Sequence, residues 1–167
     1  FTATYTGFVN GETNTVLAGN LVFDTSAETN SPVGNYPIEL SGLTAINYSI
    51  TFSNGALGIS KANANLAVNG YTGGYDGAAH GASGSATGVN AEDLSALLTL
   101  GDSFTDVPGG TANWTFAGNG NYNATNGSAA IVLTKAGLSV TANNRSKTYG
   151  NTVTFAGTEF GTAGLVN

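Results

Sequence analysis

Cysteine and methionine are absent from the 167 residues, histidine and tryptophan occur once each, and proline three times. Without cysteine there are no disulfide staples and no thiolate metal sites. His80, the single histidine, has no second histidine with which to hold a metal. Charge is scarce too. Asp, Glu, Lys and Arg make up 8% of the chain, against roughly 25% in an ordinary soluble domain. Four basic residues against ten acidic ones leave a net charge of −6 and a pI near 4.3. Binding to phosphate backbones needs clustered Lys and Arg, and no such patch exists, which argues against nucleic acid and against anionic membrane. No apolar run approaches the roughly 20 residues of a membrane-spanning helix. With no methionine and no signal peptide, the chain reads as an internal or processed segment.

What remains is rich in turn and sheet formers. The hydrophobic fraction is 41%, enough for a core, and 25 glycines stand beside abundant Asn, Thr, Ser and Ala. Thr, Val, Tyr, Phe and Ile suit the pleated sheet, whereas Gly and Asn supply turns. Helix-surface residues are too few for long helices. Short alternating runs predict strands at residues 47–53 (Tyr48, Ile50 and Phe52 on one face), 56–60, 64–68, 112–117, 129–134 and 138–141. The dipeptides Asn10-Gly11, Asn54-Gly55, Asn69-Gly70 and Asn126-Gly127 are hairpin signals. Residues 91–100 read as a short turn followed by a strand. Regular short strands between turn signals argue an all-β sandwich.

An internal repeat organises these strands. Asn47-Tyr48 and Asn121-Tyr122 are offset by 74, and each Tyr is followed thirteen residues later by a lysine, Lys61 or Lys135. Each lysine precedes Ala and then a Leu-x-Val alternation (Leu66-Ala67-Val68; Leu138-Ser139-Val140), and fourteen residues past each lysine stands Tyr75 or Tyr149. A shorter echo relates Gly7-Phe8-Val9-Asn10 to Gly164-Leu165-Val166-Asn167. The expected organisation is therefore residues 1–61 as a module lacking its first strand, 62–136 as a complete module, and 137–167 as the opening strands of a further one. The junctions carry no Pro/Ser-rich linker, so modules should abut with little slack.

Two stretches carry a family resemblance. Lys135-Ala136-Gly137-Leu138 through Thr148-Tyr149-Gly150, and on through Thr154-Phe155, resembles the glycine-rich, mostly-β MBG repeat of large bacterial adhesins and filamentous-haemagglutinin-like exoproteins. Residues 1–61 resemble the remainder of such a repeat, through Thr6-Gly7-Phe8-Val9-Asn10-Gly11, Pro32-Val33-Gly34-Asn35-Tyr36-Pro37-Ile38 and Asn47-Tyr48-Ser49-Ile50. The middle module, with Tyr75-Asp76-Gly77 and Gly118-Asn119-Gly120-Asn121-Tyr122, is similar to the bacterial Ig-like repeats that alternate with MBG domains. The resemblance implies tandem small Ig-like β-sandwich modules in an elongated array at the cell surface or outside the cell. It carries no catalytic residues to transfer.

Candidate sites are few. Tyr71, Tyr75, Trp114 and Tyr122 are the aromatic residues that would form a sugar-stacking platform, although alternation groups Trp114 with Phe116 as core. Glu92-Asp93 with Asp102 and Asp106 are the candidate oxygen ligands for calcium, at a spacing unlike an EF-hand loop. No other cofactor is expected. Five Asn-x-Ser/Thr sequons, at Asn47, Asn113, Asn123, Asn126 and Asn144, are candidate glycosylation sites. Lys61 and Lys135 recur among asparagines, as an intramolecular Lys–Asn isopeptide bond would need, or as strand ends that solvate a junction. Ser83, His80 and Asp76 lie too close in sequence for a catalytic triad, and His80 reads as an exposed loop residue. No catalytic role is expected. The reading is a structural repeat segment of an extracellular bacterial filament or surface adhesin, with other copies or adjacent repeats as partners and possible strand addition from a neighbour. The alternative is a carbohydrate- or receptor-binding module facing glycans or host and community surfaces. An ice-binding face would need regular Thr ladders, which the spacing does not supply.

Overall fold

The structure, a computed structural model, describes residues 1–166. The chain is all-β, with helix confined to two single 3-10 turns at Asn14–Val16 and Ser95–Leu97. It divides into two compact units, Phe1–Ala62 and Asn63–Asn167. The division falls one residue past Lys61, and residues 137–166 group with the second unit. Asn167, the last residue of the terminal echo and of the expected 137–167 segment, lies outside the described residues.

The first unit is built on one antiparallel sheet of β1 (Ala18–Asp24), β2 (Gly34–Thr44) and β3 (Gly55–Ile59), in that order. Along β2 the alternation turns Tyr36, Ile38 and Leu40 to the half-buried face and Asn35, Pro37 and Glu39 outward. The β1–β2 ladder shifts register between Gly19 and Val22. Gly19 and Gly42 there both have φ of +87°, and a Cβ on Gly19 would run into the Gly42 carbonyl, so only glycine fits. Residues 47–53, expected as a strand, form no ladder. Tyr48, Ile50 and Phe52 are nevertheless half-buried while Ser49, Thr51 and Ser53 are exposed. Alternation reports which way side chains face, and it does not guarantee the backbone a partner. Residues 1–8, residues 48–55 and the sheet's apolar face line an open cleft of about 750 Å³.

The second unit has two sheets. The smaller pairs β4 (Asn65–Asn69) with β6 (Ser83–Thr87), antiparallel. The larger has the order β5 (Tyr71–Gly74), β9 (Thr125–Thr134), β8 (Gly109–Phe116), β7 (Leu98–Thr99), with β5 parallel to β9. Asn69-Gly70 is not a hairpin, contrary to its signature. It is the point where the chain leaves one sheet for the other, and a side chain at Gly70 would strike the Ala130 carbonyl. Asn126-Gly127 is no hairpin either, since it lies inside β9 opposite Thr115 and Trp114. Gly127 stands there because the Trp114 ring occupies the space where its Cβ would be.

The core of this unit is made by Ala86, Leu94, Ala112, Phe116, Tyr122, Ile131 and Leu133. Trp114 shares the face of Ala112 and Phe116 and is half-buried. Residues 91–100 hold the 3-10 turn and then β7, in line with the turn-then-strand expectation. Beyond β9, β10 (Ser139–Ala142) and β11 (Phe160–Ala163) form a two-stranded antiparallel pair.

Phe116 is 1% exposed and Val132, one strand over, is 42% exposed. Phe116→Ala should therefore destabilise the second unit by about 3–5 kcal/mol, and Val132→Ala by less than about 1 kcal/mol. Urea unfolding followed by the fluorescence of Trp114 reads both.

Candidate functional site

The two units share one polar device. In the first, the Tyr48 hydroxyl donates to the Glu12 carboxylate and accepts the Val9 N–H at 3.2 Å. In the second, the Tyr122 hydroxyl donates to Glu92 and accepts the Val89 N–H at 2.9 Å. Each tyrosine sits between the last two strands of its three-strand run, β2–β3 or β8–β9. Each glutamate sits in a turn that precedes that run. The clasp thus closes a long loop of chain through one hydroxyl that both gives and receives a hydrogen bond.

Local backbone aims the turn at the ring. In Val9-Asn10-Gly11-Glu12, the Glu12 N–H bonds the Val9 carbonyl at 3.0 Å, and Asn10 and Gly11 both take positive φ, 54° and 74°. That is the mirror-image turn that Asn-Gly favours. In Val89-Asn90-Ala91-Glu92 it is Ala91 that takes φ 61°. The Asn90 N–H donates to Glu92 Oε2 at 2.9 Å, and the Gly88 N–H donates to the Glu92 carbonyl at 2.9 Å. Any side chain on Gly88 would collide with the Glu92 carboxylate and the Tyr122 hydroxyl. Phe8 meets the Tyr48 ring edge-on, with centroids 5.5 Å apart.

The tyrosines were visible in the sequence as the Asn-Tyr repeat. The glutamates were not, because their spacing differs. Tyr48 and Tyr122 are 74 apart, whereas Glu12 and Glu92 are 80 apart, so a single offset misses the second partner. The recurring Val-Asn-Gly/Ala-Glu string was the signal that would have found it.

The four candidate aromatics do not form one platform. Tyr122 is 4% exposed and held by Glu92. Trp114 packs over Gly127 on β8. Tyr71, on β5, lies over Gly73 and stacks on the His80 ring, with centroids 4.0 Å apart and planes 8° from parallel. His80 is therefore not the exposed loop residue expected. Its backbone bridges Phe104, and its Nε2 meets Asp76 Oδ1 at 2.9 Å. That hydrogen bond, with the Ala78 N–H, holds the Asp76 carboxyl below the usual range. Ser83 is exposed on β6 and pairs through its backbone with Asn69. Tyr75 alone of the four borders a described groove, about 410 Å³, with Val107, Asp106, Lys135 and Leu138.

The acidic candidates for calcium are committed elsewhere. Glu92 is in the clasp, and Asp93 Oδ1 accepts the Ser95 N–H at 2.9 Å. Among the described residues no three His, Asp or Glu side chains gather as a metal site. Lys61 and Lys135 are both exposed, whereas an isopeptide lysine requires burial. The sequon asparagines Asn47, Asn113, Asn123, Asn126 and Asn144 are all exposed, and the Asn123 amide donates to Asn63 Oδ1 at 2.9 Å.

The clasp makes stability depend on pH at both ends. Its hydrogen bond holds Glu92 below the usual carboxylate range and lifts Tyr122 above the usual tyrosine value. The Glu92 contribution is present above the ordinary carboxylate pKa and is lost as pH falls through the lowered value. The Tyr122 contribution is full below the ordinary tyrosine pKa and is lost as pH rises through the raised one. Thermal melts across pH should show a plateau between these limits. Tyr122→Phe should lower the melting temperature on that plateau by several degrees and flatten both limbs. Limbs that keep their wild-type steepness in Tyr122→Phe would show that other groups control them.

Comparison with known proteins gives one match: residues 1–58 match the family model described as MBG domain (YGX type). No curated protein and no solved structure matches the chain. The matched span begins before the clasp turn, contains Glu12 and Tyr48, and ends within β3, so the first unit carries an MBG domain of the YGX type.

Proposed function

We propose that the chain is a structural repeat segment of an extracellular bacterial filament or surface adhesin, a building block in a tandem array of small Ig-like sandwiches. The observation that carries this reading is the recurrence of one clasped β unit. The β2–β3 pairing of the first unit (Asn35 with Gly58 through Ile38 with Gly55) and the β8–β9 pairing of the second (Gly109 with Val132 through Ala112 with Ala129) agree pair for pair at an offset of 74. Both hairpins end in a lysine, and β10–β11 then opens as β4–β6 does. A repeat of this kind propagates by nearest-neighbour contacts and suits load-bearing or spacing roles better than chemistry. The MBG match at residues 1–58 points the same way, toward a repeat module of surface proteins. Low charge favours close packing between copies, because few ions are desolvated at each contact. In this reading the partners are other copies or adjacent repeats, and the place of work is the cell surface or the medium.

A second reading rests on Tyr75, which borders an open groove with Asp106 and Lys135 beside an apolar Leu138, the mix of ring face and polar groups that a pyranose uses. It makes the segment a carbohydrate- or receptor-binding adhesin module.

Immunogold electron microscopy of the native material separates these. A structural repeat predicts label on regular fibres or stalks with an axial period of one or two units, and label confined to the cell interior overturns it. A binding module predicts glycan-array signals that Tyr75→Ala abolishes while the thermal melt stays unchanged.

A further inference from the structure

Comparison of the two units shows one built with a strand that the other lacks. In the second unit the outer edge of the final strand β9 is covered by β5, running parallel with Tyr71 opposite Ile131 and Gly74 opposite Thr134. Just before it in the chain, β4 supplies Leu66 and Val68 to the half-buried side of the β4–β6 pair. This β4–β5 segment seals the core, and Ile131 and Leu133 beneath it are 1% and 2% exposed. In the first unit β3 holds the place of β9, but its outer edge carries no strand, and residues 1–8 have no ladder partner. Here the equivalent interior is the 750 Å³ cleft, bordered by Phe8, Leu21, Phe23, Ile38, Leu40 and Phe52, none of them fully buried.

The complementary problem lies at the other end of the described chain. Residues 137–149 repeat the β4–β5 segment, with Leu138-Ser139-Val140 echoing Leu66-Ala67-Val68 and Tyr149 echoing Tyr75. Yet every residue from 137 to 158 is exposed, including Leu138 at 57%, Val140 at 62% and Tyr149 at 101%. A pair of four-residue strands with no core beneath it is marginal by itself. One part has an apolar groove without a strand, and the other has an apolar strand without a groove.

We propose that the cleft of the first unit is a docking site for residues 138–149 of a second copy of this chain. The donated Leu138 and Val140 enter the cleft, and residues 145–148 add in parallel to the free edge of β3. Transferring the β5–β9 pairing by the 74-residue offset sets the register, with Arg145 opposite Leu57 and Thr148 opposite Ser60. To donate, β10 exchanges its β11 partner for residues near Thr2–Thr6 of the acceptor. Backbone hydrogen bonds supply affinity and alternate side chains supply specificity, as in other strand additions. A copy that both donates and accepts propagates head to tail, which is the heterologous geometry of a filament. This deepens the structural-repeat reading and rests on it.

The absence of native cysteine makes a clean test. Full-length chains carrying Ser60→Cys are mixed with chains carrying Thr148→Cys and oxidised. Paired strands bring their Cα atoms within disulfide reach, about 4.4–6.8 Å. The expected result is a disulfide-linked dimer near twice 16.6 kDa, with little product from either variant alone. Adding Leu138→Asp and Val140→Asp to the donor should cut that product at least tenfold while leaving its thermal melt unchanged, since both side chains are exposed in the single chain. A mixture that stays unlinked, with wild type sedimenting as a monomer at high concentration, overturns the proposal. So does a monomeric, internally linked product from the double variant Ser60→Cys/Thr148→Cys, which would make the occupant the chain's own segment. Regular fibres in native material alongside a failed cross-link would sink strand exchange and leave the structural-repeat reading standing.

Discussion

A tyrosine hydroxyl held between a glutamate carboxylate and a backbone N–H is the contact on which the rest of each unit depends. Tyr48 and Tyr122 stand in the connection that precedes the final strand, and their partners stand in a turn before the first strand of the sheet. Ordering so long a loop costs entropy that short β ladders repay poorly. A charge-assisted hydrogen bond at the closing point, partly shielded from water, offsets part of that cost where the chain has few other polar contacts between distant segments. With charged residues at 8% of the chain, and with His80–Asp76 and Arg145–Glu159 as the ion pairs among the described residues, the clasps are the main use to which the scarce acids are put.

The two units use the same clasp to different effect because their cores differ. In the second, the clasped sheet faces a second sheet, Tyr122 is buried, and its hydroxyl works in a drier setting. In the first, the clasped sheet faces two extended segments without ladders, Tyr48 stays half-buried, and the cleft remains open. The same hairpin register in both, pair for pair, shows that the hairpin and clasp are the constant part of the module. The covering strand is the variable part. A fold whose last element is supplied separately is suited to joining end to end, since the act of completing a core is also the act of linking modules.

Much of this was legible in the residues. The all-β class followed from composition, and the alternating runs marked most strands within a few residues. The 74-residue repeat anticipated the shared hairpin and the Lys61 boundary. The failures have physical causes. Asn69-Gly70 and Asn126-Gly127 read as hairpin turns because Asn-Gly favours positive φ, yet each glycine is there because a neighbour, the Ala130 carbonyl or the Trp114 ring, leaves no room for a Cβ. His80 read as a loop residue because nothing local marks it, and only the fold brings Tyr71 and Phe104 against it. The glutamates escaped notice because six extra residues between the turn and the tyrosine in the first unit break the common offset.

The sequence by itself determined the class of structure and its modular repetition, because side-chain period, turn chemistry and scarcity of charge are local properties that need no partner to be read. Tertiary structure alone decided which strands find partners, which tyrosine is buried, and which acids are spent on closing the chain. Those outcomes depend on segments 30 or more residues apart meeting in register, and a strand's inward face looks the same in sequence whether its edge is paired or open.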